Sequence, residues 1–226
     1  MEIIKKEKLL EKSIGPIFIK TSELITNQMK KCIFKIYIDN IFKGTGFFTR
    51  IPFPDYFHLL PVLVTVSFVI DSNALKQDCI HISLNDDKEL REIKLKDTKR
   101  KIFKNNELNT TFIEILPEDK ISDFLEVDEN IFKENKIFKE QYSKKSIYVL
   151  HYMEGEKCAM NTGIIKNINC KNILHSCNTN MGSSGGPILL LDNLKIIGMH
   201  YGAVDKINVN KGIFLNFPII EFQKQK

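Results

Sequence analysis

From residue 32 onward the chain is a succession of short runs rich in β-branched and aromatic residues, separated by turn residues. Residues 32–38 and 41–49 are two such runs, and Asp39-Asn40 between them reads as a hairpin turn. Further runs fall at 62–70, 79–84, 89–96 and 111–116. A second series occupies 146–152, 157–168, 173–177, 187–191, 194–201 and 212–217. Many short strands with turn signals predict an antiparallel all-β sandwich or barrel rather than a parallel sheet alternating with helices. Periodicity alone does not choose between those two. Ahead of the strands, residues 1–20 read as a mixed-charge arm broken at Gly15-Pro16. Residues 21–31 have helical spacing, with Leu24, Ile25 and Met29 on one face and Thr21 or Ser22 as the cap. Residues 117–139 carry helical patches around Ile121, Phe124 and Leu125 and read as a crossover between the two strand series. The tail 218–226 reads as a short helical turn.

Composition narrows the class. The chain has 226 residues, 43% of them hydrophobic, with sixteen Phe and no Trp. That is a globular composition with enough chain for two small cores, filled by Phe, Ile and Leu. The expected division is an arm at 1–31, a first lobe at 32–120, and the crossover, second lobe and tail at 121–226. The longest apolar run, 59–70, is interrupted by Pro61, Thr65 and Ser67 and is too short for a membrane helix. The N-terminus is charged from Glu2 onward and lacks the apolar centre of a secretion signal. Five cysteines, an odd number, then predict free thiols in a reducing, cytoplasmic setting. In that setting the glycosylation pattern Asn109-Thr110-Thr111 goes unused. The net charge of +5 is spread out. Its densest stretch, 94–104, is followed by Glu107 and Glu114, which suits a solvated strand edge better than a nucleic-acid surface. No zinc-ligand spacing, phosphate loop or dinucleotide fingerprint occurs, so no metal and no cofactor is expected.

The most specific segment is Gly182-Ser183-Ser184-Gly185-Gly186-Pro187. A nucleophilic serine must project from a tight turn, and backbone N–H groups beside it must face the oxyanion that forms at the attacked carbonyl. Gly182 permits such a turn, and the N–H groups of Gly182 and Ser184 are the candidate oxyanion donors. Gly185 and Gly186 allow close approach of a neighbouring lobe, and Pro187 opens the next strand. A Gly/Ser surface loop is the plainer reading, yet this one runs straight into Ile188-Leu189-Leu190-Leu191 with no linker.

This loop resembles the Gly-x-Ser-Gly-Gly-Pro nucleophile loop of the trypsin-like serine proteases. Gly44-Thr45-Gly46-Phe47-Phe48 resembles the family's Gly-Ser/Thr-Gly-Phe segment. Residues 63–70 resemble the strand end that carries the family's histidine, and 109–115 resemble the segment around its aspartate. The order of positions 68, 109 and 184 is the family's order of His, Asp and Ser. The resemblance spans roughly residues 32–220 and implies two packed antiparallel six-stranded β-barrels.

Two positions depart from the family pattern. Phe68 stands at the histidine position and Asn109 at the aspartate position. Phe accepts no proton, and Asn does not stabilise an imidazolium as a carboxylate does. Loss of the acid alone lowers turnover in such a triad about 10⁴-fold, and loss of the base lowers it on the order of 10⁶-fold. Phe68 at the end of a strand reads as core packing. Among His58, His81, His151, His175 and His200, the strand residues His81 and His151 read as structural, and no lysine is evident as a substitute base. His200, sixteen residues after Ser184, and Thr179 resemble the pocket residues of Glu- or Gln-specific relatives, and the resemblance implies a substrate-binding role for them. An ordinary half-buried strand histidine and loop threonine is the alternative. The leading expectation is a pseudoprotease that holds a peptide or protein, with no nucleic-acid or membrane partner. An active serine endopeptidase with a non-standard base, cutting after Glu or Gln, and a structural domain with a closed cleft are the alternatives.

Overall fold

The computed structural model describes residues 15–133, 141–169, 171–204 and 209–225. Helix α1 (Ile19–Cys32) leads into the strands. It buries Ile25, Met29 and Cys32, one stripe at i, i+4 and i+7. Leu24 lies off that stripe and is exposed. The helix begins earlier than its sequence cues suggest. Phe18 occupies the N-cap without a side-chain cap bond, and the Ser22 and Thr26 hydroxyls instead donate back to carbonyls four residues earlier.

Strands β1 (Ile33–Ile38) and β2 (Ile41–Pro52) form the expected hairpin. Asp39 and Asn40 both have positive φ, 52° and 60°, as a two-residue primed turn requires. The first lobe continues with β3 (Leu59–Val66), β4 (Cys79–Leu84), β5 (Glu89–Lys94), β6 (Ile102–Asn105) and β7 (Thr110–Glu114). These make one antiparallel seven-stranded sheet in the order β5-β4-β1-β2-β3-β7-β6, rolled as a half-barrel. Two details differ from expectation. Strand β3 stops at Val66, so residues 67–70 form a turn instead of a strand end. The short lysine-bearing β6 carries too little apolar signal to stand out in the sequence.

The second lobe is a closed six-stranded barrel in the order β10-β13-β12-β11-β8-β9. Its strands are β8 (Ser146–Met153), β9 (Lys157–Asn169), β10 (Asn172–His175), β11 (Pro187–Leu190), β12 (Ile196–Val204) and β13 (Val209–Phe214). Strand β13 ends at Phe214, earlier than the expected 217, because helix α2 (Asn216–Gln223) follows. Pro218 falls in the first turn of α2, where its missing N–H costs nothing.

Several contacts join the lobes. Phe222 of α2 packs among Phe53, Phe103 and Phe112 of the first lobe, with ring centroids 4.4–5.9 Å apart. The crossover bridges both lobes, pairing Leu125 with Thr49 and Val127 with Ile196. The buried Lys35 ammonium on β1 reaches Asp87 at 2.6 Å and the Glu156 carbonyl of the β8–β9 turn at 3.1 Å. Among the described residues no helix is long and apolar enough to cross a membrane.

Candidate functional site

The Ser184 loop lies against β2 of the first lobe. The Thr45 N–H donates to the Ser184 carbonyl at 3.0 Å, and the Thr45 hydroxyl donates to the Gly182 carbonyl at 2.8 Å. The same hydroxyl accepts from the Tyr152 N–H at 3.1 Å, and the Thr65 hydroxyl donates to the Thr45 carbonyl at 2.8 Å. This crowding explains the glycines on both sides. A Cβ on Gly44 would stand 2.7 Å from Val69 and 3.0 Å from the Ser184 carbonyl. A Cβ on Gly185, whose φ is +91°, would overlap the Thr45 carbonyl. Gly44-Thr45-Gly46 and the Ser184 loop are thus two halves of one contact. From behind, Gly185 N–H donates to the His200 carbonyl at 2.9 Å, and His200 N–H donates to the Gly186 carbonyl at 2.7 Å.

Ser183, next to the candidate nucleophile, turns the opposite way. It is fully buried, and its hydroxyl meets His151 Nδ1 at 2.8 Å while accepting from the Asn180 N–H at 3.0 Å. His151 Nε2 meets the Asn161 side-chain oxygen at 2.8 Å, which assigns the proton to Nε2 and leaves Nδ1 to accept from Ser183. Burial lowers the His151 pKa despite the Asn161 bond, so the ring is held neutral. This Ser-His-Asn chain copies the connectivity of a catalytic triad, but solvent does not reach Ser183. It is a strut that holds the loop from inside the second barrel. The sequence gives no signal for it, because residues 151 and 183 meet only through the barrel.

Ser184 itself is half-buried, and its hydroxyl donates to the Tyr201 carbonyl at 3.1 Å. A carbonyl takes up no proton, and among the described residues no side chain hydrogen-bonds the Ser184 hydroxyl. Neither the Gly182 nor the Ser184 N–H donates to another group among the described residues, so both remain available to a ligand oxygen.

Phe68 lies in the turn after β3 and is 52% exposed, so it is not the core residue its strand-end position suggests. Its ring meets Tyr201 edge to face at 5.6 Å, and the Lys211 ammonium stands 5.0 Å over the other partner of that pair, Tyr201. The Ser67 N–H donates to the Asn109 carbonyl at 3.1 Å, so the fold brings positions 68 and 109 together. Asn109 has a φ of 49°, a conformation that Asn tolerates well. Phe68 and Ser184 are thus linked through one residue, Tyr201, whose ring packs on the first and whose carbonyl binds the second.

His200 is 2% exposed, and its Nδ1 faces His175 Nε2 at 3.3 Å. Burial first, and then repulsion from His175 and His151 in their protonated forms, pushes His200 down to about 3, and burial pushes His175 down to about 4. Both rings are neutral at pH 7. A cavity of about 420 Å³ opens beside them, lined by His175, Cys177, Asn178 and Asn210 among others, but not by His200 or Thr179. Of the remaining histidines, His58 is exposed and bonded to Asp55 at 2.8 Å, and His81 lies on the exposed face of β4.

No protein-family model matches the sequence, and no curated protein does. The chain is similar in structure to solved serine proteases. The inactive form of Rv3671c from M. tuberculosis, as a Ser343Ala mutant, matches with a TM-score of 0.63 at 13% identity, covering 95% of this chain and 98% of that one. The active form of the Rv3671c protease gives 0.59 at 14%, covering 95% and 89%. The serine endoprotease from Yersinia pestis gives 0.63 at 11%, covering 94% and 69%. The fold is therefore that of the trypsin-like serine proteases.

Proposed function

We propose that this chain is a serine-protease homologue that does not hydrolyse peptides and instead binds a peptide or protein across the former cleft. The observation that carries this reading is the Ser184 hydroxyl, which donates to the Tyr201 carbonyl, a group that takes up no proton, while Phe68 at the histidine position packs on the Tyr201 ring. A general base must come within about 3.2 Å of the hydroxyl or act through one water. Binding is supported by what the cleft exposes. Phe68 is 52% and Met181 79% exposed, and the free Gly182 and Ser184 N–H groups suit a ligand carbonyl. Exposed apolar side chains and unengaged backbone donors are features that recognition surfaces use. The four described cysteines are unpaired, in keeping with a reducing, cytoplasmic setting.

The closed-cleft reading draws on a different observation, the burial of His200 against His175, which takes that ring out of any specificity pocket. Fluorescein-labelled casein, an unfolded polypeptide, separates the two. Our reading predicts saturable binding without fragments, weakened at least about tenfold by Phe68→Asp and unchanged by Ser184→Ala. Absence of binding favours the closed-cleft domain. Fragments that disappear in Ser184→Ala contradict the non-hydrolytic reading.

A further inference from the structure

Strands β4 and β5 are paired so that His81 lies directly opposite Glu92, and Ile80 opposite Ile93. Alternate residues of a strand share a face, which places Cys79 beside His81 on the same side. The other face, with Ile80, Ile82 and Ile93, is fully buried in the first lobe. Cys79 is half-buried, His81 and Glu92 are exposed, and one ligand atom from each lies within 4.8 Å of the others. Thiol, imidazole and carboxylate thus converge on a solvent-facing spot of the sheet, on strands other than those that hold the Ser184 loop.

We propose that Cys79, His81 and Glu92 form a zinc site. A soft thiolate with an imidazole suits zinc and disfavours magnesium and calcium, which take oxygen ligands. Zinc binds sulfur, nitrogen and oxygen at about 2.0–2.3 Å, and the two exposed side chains reach that geometry by rotamer adjustment. Three protein ligands leave a fourth position to water. Binding releases one proton, that of the Cys79 thiol, while His81 coordinates as the neutral ring. Without the metal that thiol holds its proton more tightly than usual, through burial first and then through Glu92 and Asp78, with Lys94 opposing. A divalent cation reverses this local balance. Strand β5 is an edge strand paired only to β4. The ion joins the two strands through side chains, so it clips the edge strand to the sheet.

Cobalt(II) added to the reduced full chain is the test. The proposal predicts one equivalent bound, with a thiolate-to-cobalt charge-transfer band in the near ultraviolet that zinc displaces. Cys79→Ser removes the band. His81→Ala and Glu92→Gln each weaken binding at least about tenfold, while Cys158→Ser leaves it intact. These three ligand positions are outside the packed core, and zinc should raise the melting temperature of the wild type more than that of Cys79→Ser. Absence of the band at one equivalent, or its survival in Cys79→Ser, overturns the proposal.

Discussion

Gly185→Ala is expected to cost on the order of 4 kcal/mol of folding stability, one of the largest effects available to a single methyl group in this chain. Two penalties coincide at the position. A φ of +91° is unfavourable for any residue with a Cβ, and the added carbon would overlap the Thr45 carbonyl and the Thr65 hydroxyl. Neither neighbour is free to yield. The Thr45 carbonyl accepts from Thr65, and the Thr45 N–H and hydroxyl are bonded to the Ser184 and Gly182 carbonyls. The strain therefore spreads into the contact between the lobes. Gly202→Ala is the control, since nothing lies within 4 Å of its Cβ and its φ needs no glycine. That variant is expected within about 0.5 kcal/mol of wild type. Urea unfolding midpoints measure both, and equal stabilities for the two variants would contradict this account of the Ser184 loop.

Acidification is the second large effect. His175 and His200 are held neutral in the fold, at about 4 and about 3, while an unfolded histidine titrates near 6.5. The folded values are depressed, so below pH 6.5 the unfolded chain binds more protons than the folded one, and stability falls as pH falls. The loss runs from about pH 6.5 down to about pH 4, where His175 begins to charge in the fold. Between pH 7 and pH 5 each ring contributes about 2 kcal/mol of lost stability, roughly 4 kcal/mol for the pair. His151, also lowered by burial, acts in the same direction. His200→Gln should reduce the slope of stability against pH in this window by a third to a half. A flat stability between pH 7 and pH 5 would show that the two rings are not buried neutral. The cost of this arrangement is visible in the fold, where His175 Nδ1 is buried without a hydrogen-bond partner among the described residues.

What the sequence reveals of this fold follows the range of the interactions. The β1–β2 turn is legible because Asp39 and Asn40 are turn residues between two apolar runs. The Ser184 loop is legible because a tight turn against a neighbouring strand needs glycines at fixed offsets. Helix α2 is legible only in part: 218–226 reads as a short helical turn, but 212–217 reads as a strand although the helix already begins at Asn216. Phe68 reads as a core residue from its strand end, but the strand stops at Val66, two residues before it, and leaves the ring on the surface. Contacts across the fold leave no local trace. The Ser183–His151–Asn161 chain, the His175–His200 pair and the Cys79–His81–Glu92 triangle depend on strand register, and none has the spacing of a sequence motif. The meeting of Gly44-Thr45-Gly46 with Gly185 belongs to the same group, although each glycine is conspicuous by itself.

The proposed lack of hydrolysis rests on the Ser184 hydroxyl. A serine activated by a base reacts with a fluorophosphonate, and a serine whose proton is donated to a carbonyl does not. Incubation of the full chain with a fluorophosphonate at pH 7.5, followed by intact mass measurement, tests this directly. An unmodified mass is expected after prolonged exposure. A single adduct on Ser184, absent from Ser184→Ala, would contradict it.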